Sequence, residues 1–430
     1  MVLRPSKPAA AGVAVSCPFV TRADVMISVA REPKPEPAAR TVDTRSPFAR
    51  LAELIAGVPP GKPSIDLGVG EPKHPIPDFV APVMAAHIKD FGRYPRNEGI
   101  PEFRTAAAAW MGRRYRLARA PDPNTEVLVL NGSREGLFLG AIAARRHVPP
   151  RNGKPAILVP NPFYAAYSAG AVAADCDVIY LPTTRQNGFL PDLDALDPAV
   201  LARTVAFYLA TPSNPQGAVA DLAYLQRLVA LARRHQFLVF CDECYSEIYT
   251  TTEPAGILQA AGEDFANVVL FQSLSKRSNL PGLRIGFAAG DRRFMAKFLE
   301  LRSVAAPQVP IPAQHVAAAA YGDEAHVEKN RDLYRLKFDL ADQIVGNRYG
   351  YVRPAGGFFL WLDVSAQGGS EAAAAKLWRE GGVRVLPGRY CARDQADGSN
   401  PGADYIRVAM VHDKETTAEA LHRIVAVLGN

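Results

Sequence analysis

Phe271-Gln-Ser-Leu-Ser-Lys276-Arg-Ser-Asn-Leu-Pro-Gly-Leu-Arg284 is the stretch on which the fold and chemistry of this chain turn. An apolar run ends in hydroxyls and a lysine, and a Pro-Gly turn then leads to an arginine. A lysine directly behind a buried strand is placed to be partly desolvated. Burial and a cationic neighbour lower a lysine's pKa and make its amine a nucleophile able to form an imine. Ser273, Ser275 and Arg284 add two hydroxyl donors and a guanidinium, a set suited to phosphate. The same residues could make an ordinary surface turn, and the stretch alone does not choose.

Working outward, the strand ahead of Lys276 is one of seven. Apolar runs predict strands over 126–130, 156–160, 177–181, 204–209, 237–242, 268–272 and 284–289, with helical patterns such as 133–146 and 221–235 between them. Strands that are apolar on both faces and separated by helices imply an α/β fold with a mostly parallel sheet. Such sheets bind ligands beyond the carboxyl ends of their strands. The conspicuous polar residues fall at those ends: Asn131–Arg134, Asn161–Tyr164, Thr211–Asn214, Asp242–Tyr245 and Ser273–Lys276. One pocket assembled from five strand ends is the expectation.

Each of these ends has its own chemistry. Cys241-Asp-Glu-Cys244 has a C-x-x-C spacing that could serve zinc or redox chemistry. A structural zinc needs four ligands, and no second pair or nearby His supplies them, so no metal is expected. Asp242 is the better functional group, because a carboxylate at a strand end can hold a ring nitrogen protonated, as an electron-sink cofactor requires. In Ala210-Thr-Pro-Ser-Asn-Pro-Gln-Gly217, Asn214 offers an amide donor, although Asn-Pro and Gly also simply make a turn. Asn131-Gly-Ser-Arg-Glu135 opens a helix whose free N–H groups suit phosphate. Tyr164 puts an aromatic at a strand end, where core packing is the usual reason. No Gly-x-Gly-x-x-Gly or Walker lysine motif supports a nucleotide.

Composition removes other classes. The chain has 430 residues, 48% hydrophobic and 21% charged, which excludes wholesale disorder and fibrous or disulfide-scaffold proteins. No run of 18 apolar residues predicts a membrane span. A net charge of +6 raises nucleic acid as a partner, but residues 1–50 hold eight Lys/Arg against four acids. That leaves +2 for the other 380 residues, so neither nucleic acid nor membrane is expected as a partner. The five cysteines are odd in number and scattered, which fits a reducing cytoplasm.

Residues 1–45 are rich in Pro, Ala and Arg without periodicity and are expected to be a disordered leader. The apolar stretch Ala9–Val15 is at the short limit of a secretory core and lacks a clear cleavage site. The body divides, by expectation, into an N-terminal segment at 46–75 that packs on a small domain, a large domain at 76–291, a connecting helix at 292–321 interrupted by Pro307, Pro310 and Pro312, and a small α+β domain at 322–430. The small domain should hold strands near 357–364 and 405–411 and a closing helix near 414–428.

Together these segments resemble the fold-type I pyridoxal 5'-phosphate aminotransferases of the aspartate aminotransferase superfamily, over nearly the whole chain from Ser46. The resemblance implies that Lys276 is the imine-forming lysine and Asp242 the partner of the pyridinium nitrogen. Tyr245 and Asn214 correspond to the pair that hydrogen-bonds the cofactor's phenolic oxygen, and Tyr164 to the aromatic stacked on its ring. Ser133 and Arg134 (through backbone N–H), Ser273, Ser275 and Arg284 correspond to the phosphate cup. Tyr94, in Arg93-Tyr-Pro-Arg-Asn-Glu-Gly-Ile, matches a tyrosine that reaches a neighbouring subunit's phosphate, implying a homodimer with shared active sites. Arg407, in Tyr405-Ile-Arg-Val-Ala, resembles the arginine that grips the substrate α-carboxylate, and Gly70 the glycine that lets substrate approach the backbone.

The implied substrates are small amino and 2-oxo acids. Within the superfamily the motifs look most like bacterial N-succinyldiaminopimelate aminotransferases of lysine biosynthesis, with Gln216 where Thr is common and Ile285 where Ser is frequent. Aspartate, aromatic or LL-diaminopimelate transamination, a pyridoxal-phosphate β-lyase, and a regulator built on the same fold are the competing readings. The regulator would need a helix-turn-helix, which residues 1–45 are too short and Pro-rich to supply.

Overall fold

Four central strands are built from residues that tolerate burial on both faces: Ala156–Asn161, Thr204–Ala210, Leu238–Asp242 and Val268–Ser273 are buried almost throughout. Near-continuous apolar runs of this kind belong to a sheet covered on both sides. In the computed structural model, which describes residues 46–149, 151 and 153–429, they form the middle of a seven-stranded sheet. The expected leader at 1–45 lies outside the described residues. Residues 46–429 form one compact unit.

Across the sheet the order is Val127–Leu130, Gly286–Gly290, Val268–Ser273, Leu238–Asp242, Thr204–Ala210, Ala156–Asn161, Asp177–Pro182. All neighbours are parallel except Gly286–Gly290, which runs antiparallel to both its partners. The other six strands therefore point the same way and release their carboxyl ends along one edge. Side chains alternate across the pleat. Phe207, Val239 and Leu270 enter the core on one face, while Tyr208, Phe240 and Phe271 enter the core on the other. Helices Pro101–Arg114, Leu222–His235 and Ile311–Gly322 cover the first face, and Ser133–His147, Ala165–Ala173 and Arg292–Ala305 the second.

Local chemistry sets the boundaries. The 222–235 helix begins where the Asp221 carboxylate accepts a hydrogen bond from Tyr224 N at 2.7 Å. Pro307 and Pro310 lie between helices, but Pro312 sits in the first turn of the Ile311–Gly322 helix and does not break it, since that N–H would be unpaired anyway. Three strands, Val127–Leu130, Leu238–Asp242 and Gly286–Gly290, start one or two residues later than the apolar runs suggest. Gln236 is left-handed before Leu238–Asp242, and Arg284, at φ +54°, is left-handed before Gly286. A left-handed residue cannot belong to a strand, so Arg284 stands at the edge of the sheet rather than in it.

A second core surrounds an antiparallel sheet of Leu386–Pro387, Tyr405–Ala409 and Phe359–Asp363, in that order. Phe338, Leu360, Val408 and Leu421 meet there, bringing in helices Ala325–Ile344 and Lys414–Leu428. The segment after Ser46 joins this core: Ile65–Asp66 pairs in parallel with Val383–Arg384, and Leu51 packs on Leu386 and Tyr390. Among the described residues no helix is long and apolar enough to cross a membrane.

Gly286 pairs with Ser273 and ties the strand after Arg284 to the strand before Lys276. A Cβ at Gly286 would lie 2.3 Å from the Gln272 carbonyl oxygen, whereas one at Gly282 would meet nothing. Gly286→Ala should destabilise the protein by about 1–3 kcal/mol, the usual cost of overpacking, and Gly282→Ala by far less. Chemical denaturation of both variants checks this; equal midpoints would refute it.

Candidate active site

The carboxyl ends of the parallel strands open into a cavity of about 1020 Å³. It is lined by Gly70, Ser133, Arg134, Tyr164, Asn214, Asp242, Tyr245, Ser273, Ser275, Lys276, Arg284 and Arg407. The structure thus brings together every site residue expected from the sequence except Tyr94. Tyr94 follows the turn Ile88–Gly92, is 95% exposed and does not line the cavity.

Lys276 sits on a short helix, Leu274–Arg277, capped by the Ser273 hydroxyl, which accepts from Ser275 N at 3.2 Å. Its Nζ donates to the Gly70 carbonyl at 2.5 Å. The amine lies 5.3 Å from the ring centre of Phe358 and 6.0 Å from that of Tyr245. Burial pushes its pKa down from 10.5 to about 8, with Arg407 and Arg284 acting in the same direction. Gly70 has a steric reason to be glycine, because a Cβ there would lie 2.6 Å from Phe359 Cζ. The space above Gly70 is thus filled by Phe359, and the Gly70 carbonyl, not an open backbone, faces the site.

Asp242 ends its strand below the same cavity. Tyr167 donates its hydroxyl to Oδ2 at 2.7 Å, and Cys244 N–H reaches Oδ1 at 3.2 Å. Burial pushes the carboxyl pKa up, while these donors and Lys276 pull it back. A buried carboxylate in this balance can accept another N–H. Tyr245 packs edge-on against Phe358 and Phe359, and burial raises its phenol well above 10. Tyr164 accepts a hydrogen bond from Arg134 Nε at 2.6 Å.

The opposite wall suits an anion. Gly132 precedes the Ser133–His147 helix at φ +75°, and a Cβ there would lie 2.5 Å from Arg284 Nη2. Only glycine lets that guanidinium lie against the helix start, where unpaired N–H groups and the positive end of the dipole face outward. Arg284 is steadied by donating Nη1 to the Pro281 carbonyl at 2.7 Å, and the Ser273 hydroxyl donates to that of Ser275 at 2.9 Å. Glu135, the acid in this first turn, is occupied by Arg302 at 2.9 and 3.2 Å.

Arg407 approaches from the three-stranded sheet. Nη1 donates to Asn214 Oδ1 at 3.0 Å and Nη2 to the Gly68 carbonyl at 2.7 Å, and the guanidinium lies 4.4 Å from the Phe359 ring centre. The residue is 5% exposed, and its buried Nε has no partner. An orphaned donor on a buried cation is a place for an anionic ligand. The cavity therefore offers an anion cradle, a desolvated amine, a buried carboxylate and a second cation, which is the donor set that pyridoxal phosphate and an α-amino acid require.

Sequence reasoning missed Tyr167, which stacks on Tyr208 at 4.6 Å while holding Asp242. Its only signal is its place three residues after Tyr164 on one helix face. It also missed Arg393, which lines the cavity. Gln216 donates to Thr183 at 2.9 Å and Ile285 is buried in a core, so neither departure from the subgroup pattern lines the cavity. Cys241 is packed in a core and Cys244 lines the cavity, and burial raises both thiols, which argues against a thiolate pair. Among the described residues His87, Asp90 and His315 converge away from this cavity, but Asp90 is also bound by Arg93.

Residues 62–424 match the family model described as aminotransferase class I and II. The LL-diaminopimelate aminotransferases of Moorella thermoacetica and Desulforudis audaxviator are each 32% identical to this chain, over 89% of it and 95% of their own length. Among solved structures, an aminotransferase from Neisseria meningitidis superposes with a TM-score of 0.83 at 37% identity, covering 90% of this chain and 98% of that one. A probable N-succinyldiaminopimelate aminotransferase from Thermus thermophilus superposes with a TM-score of 0.78 at 26% identity, covering 89% and 100%.

The desolvated amine has a direct test. Competitive acylation of the cofactor-free protein with acetic anhydride, followed by peptide mapping, should give Lys276 a titration midpoint near pH 8, as its lowered pKa requires. A midpoint near the ordinary lysine value of about 10.4 would refute the burial argument.

Proposed function

The chain belongs to the class I and II aminotransferase family, which depends on pyridoxal phosphate, and from that premise we propose that it transfers an amino group between N-succinyl-LL-2,6-diaminopimelate and 2-oxoglutarate. The observation that carries the reading is the pairing of a desolvated Lys276 with a buried Arg407 whose Nε is unpartnered. Unsuccinylated LL-diaminopimelate is the second reading, favoured by the names of the relatives from Moorella and Desulforudis.

Pyridoxal phosphate, when bound, supplies an aldehyde that captures amines and a ring that accepts electrons from the substrate α-carbon. Lys276 would hold it through its aldehyde. Arg284, the hydroxyls of Ser273 and Ser275, and the N–H groups of Ser133 and Arg134 would hold its phosphate. Asp242, kept in place by Tyr167, would hold its ring N–H. Asn214 and Tyr245 would hold its phenolic oxygen, and Tyr164 would pack on its ring. Tyr94, outside its own cavity, reaches the phosphate of a second copy in a homodimer.

Arg407 orients the substrate by its α-carboxylate, a planar anion that a guanidinium fork fits. Lys276 Nζ then removes the proton from the substrate α-carbon, since a base whose pKa is near the operating pH is effective. The aromatic rings of Phe358 and Tyr245 keep water from that amine. A 2-oxo acid occupies the same contacts in the return half-reaction, with its carboxylate on Arg407.

An amino-donor panel with 2-oxoglutarate, read as glutamate formed, tests the substrate. N-succinyl-LL-2,6-diaminopimelate should be the best donor. Preference for aspartate or aromatic donors, or pyruvate release without glutamate, would overturn the proposal. Lys276→Ala should lose the visible absorbance of the holoenzyme and lower turnover by roughly 10²–10⁴-fold or more; retained turnover refutes its role. Arg407→Lys should raise KM about tenfold to a hundredfold with a smaller change in kcat, since a charged hydrogen bond contributes about 1.5–3 kcal/mol. An unchanged KM would remove the carboxylate contact.

A further inference from the structure

Lys276 is held at both ends. Its Nζ donates to the Gly70 carbonyl at 2.5 Å. Its own main-chain carbonyl lies in a four-residue helix, whose last carbonyls have no partner within the helix. That carbonyl accepts from Asn330 Nδ2 at 3.3 Å. Asn330 is buried on the Ala325–Ile344 helix, and its Oδ1 meets His74 Nδ1 at 2.6 Å. His74 follows Gly70 by four residues. Contacts therefore close a ring: from the amine to Gly70, along the chain to His74, across to Asn330, and back to the lysine's backbone.

One group sets every donor and acceptor in this ring. A main-chain carbonyl can only accept, so Asn330 turns Nδ2 to Lys276 and Oδ1 to His74. Oδ1 also only accepts, so His74 carries its proton on Nδ1 and donates it. Its Nε2 is then an acceptor, and Lys337 Nζ donates to it at 2.7 Å and to the Met410 carbonyl at 3.0 Å. Burial and the neighbouring Lys337 lower the His74 pKa to about 4, so the imidazole is neutral and keeps this one tautomer. Burial also lowers the Lys337 pKa to about 7, against the pull of Asp413, and the amine can donate in either charge state. Met410 directly follows the strand Tyr405–Ala409, which carries Arg407. The His74 ring packs 4.5 Å from that of Tyr334.

We propose that His74 is a positioning residue for Lys276: as the Nδ1–H tautomer it locks Asn330, and through it holds the lysine's backbone at the separation from Gly70 that keeps the amine dry. The role of Lys276 is taken from the aminotransferase reading above, whereas the identity of the amino donor does not enter. A ring of directed contacts fixes an amine more closely than burial alone, because each member loses its own partner if the lysine shifts. Besides burial, Cys244, Arg407, Glu71 and Arg284 act on the amine, and a substitution at residue 74 removes none of them. A change in the amine on altering His74 therefore reports the ring.

Three variants test this. His74→Phe keeps a ring against Tyr334 and removes both hydrogen bonds, His74→Gln keeps one donor and one acceptor, and Asn330→Ala removes the middle of the ring. Competitive acylation of the cofactor-free full chain with acetic anhydride, followed by peptide mapping, reads the Lys276 midpoint in each. His74→Phe and Asn330→Ala should raise it from near pH 8 by about one pH unit, toward the ordinary lysine value. His74→Gln should bring most of that back, and the exposed Lys297 should not move in any of them. In the holoenzyme, His74→Phe should lower kcat by up to about tenfold at neutral pH, with KM for the best donor of the panel unchanged, since Lys337 still holds Met410. A Lys276 midpoint that stays near pH 8 in either variant, even with a lower denaturation midpoint, makes the cluster structural only and overturns the inference. So does a shift that His74→Gln fails to reduce, and Asn330→Ala decides alone should His74→Phe not fold. A wild type inactive with N-succinyl-LL-2,6-diaminopimelate, but whose Lys276 midpoint shifts as expected in the variants, overturns the substrate reading and supports the role of His74.

Discussion

The site is organised around the burial of one amine. Lowering the Lys276 pKa from 10.5 to about 8 means that its surroundings weaken proton binding by about 3 kcal/mol. In the cofactor-free chain this is a cost to folding. The protonated amine destabilises the native state fully below about pH 8, and the penalty fades as pH rises toward 10.5, where the unfolded chain loses its proton too. The fold limits that cost by giving the amine the Gly70 carbonyl and the faces of Phe358 and Tyr245. What stability loses, reactivity gains, since a lysine that sheds its proton near pH 8 is a usable base and nucleophile.

Keeping that amine dry requires both sheets. The seven-stranded sheet brings Asp242 and Lys276 to one edge because six of its strands run in one direction. Gly70 and Arg407 come from segments attached to the smaller core, where Ile65–Asp66 pairs with Val383–Arg384. Arg407 reaches back to Asn214, and Lys276 to Gly70, so some of the contacts that cross between the two cores are made by residues lining the cavity. A change in how the two cores meet would therefore alter the positions of Lys276 and Arg407 together.

Much of this was legible in the sequence, for a physical reason. Strands buried on both faces have to be apolar throughout, so they stand out as runs, and polar residues immediately after such runs must lie at the sheet edge. That logic found Asp242, Asn214 and Lys276 without knowing strand order. It could not find partners supplied across the fold. Tyr167 reads as a helix-face aromatic until Asp242 is seen beneath it, and Phe359 reads as a core strand residue until its ring is found over Gly70. Arg284 was assigned to a strand because the apolar run begins beside it, yet its left-handed backbone is what turns the guanidinium toward Gly132. His87 and His315 meet only because the Ile311–Gly322 helix packs near the Ile88–Gly92 turn, which spacing does not encode.

Charge makes the same point at a different scale. A net +6 describes the chain, but four of those charges fall in its first 50 residues. The cavity is lined by five cations against three acids, Glu71, Glu135 and Asp242, and Arg302 already neutralises Glu135. The local excess follows from what the site must hold. In the proposed reading Arg284 serves a phosphate and Arg407 an α-carboxylate. Neither anion would tolerate a nearby unpaired acid, because like charges in a water-poor cavity repel more strongly than in solvent. Asp242 is instead engaged by Tyr167 and the Cys244 N–H. The edge of the seven-stranded sheet sets Asp242 and Ser273 on neighbouring strand ends. It spaces successive strand ends about 4.7–4.9 Å apart and gives each its own side chain.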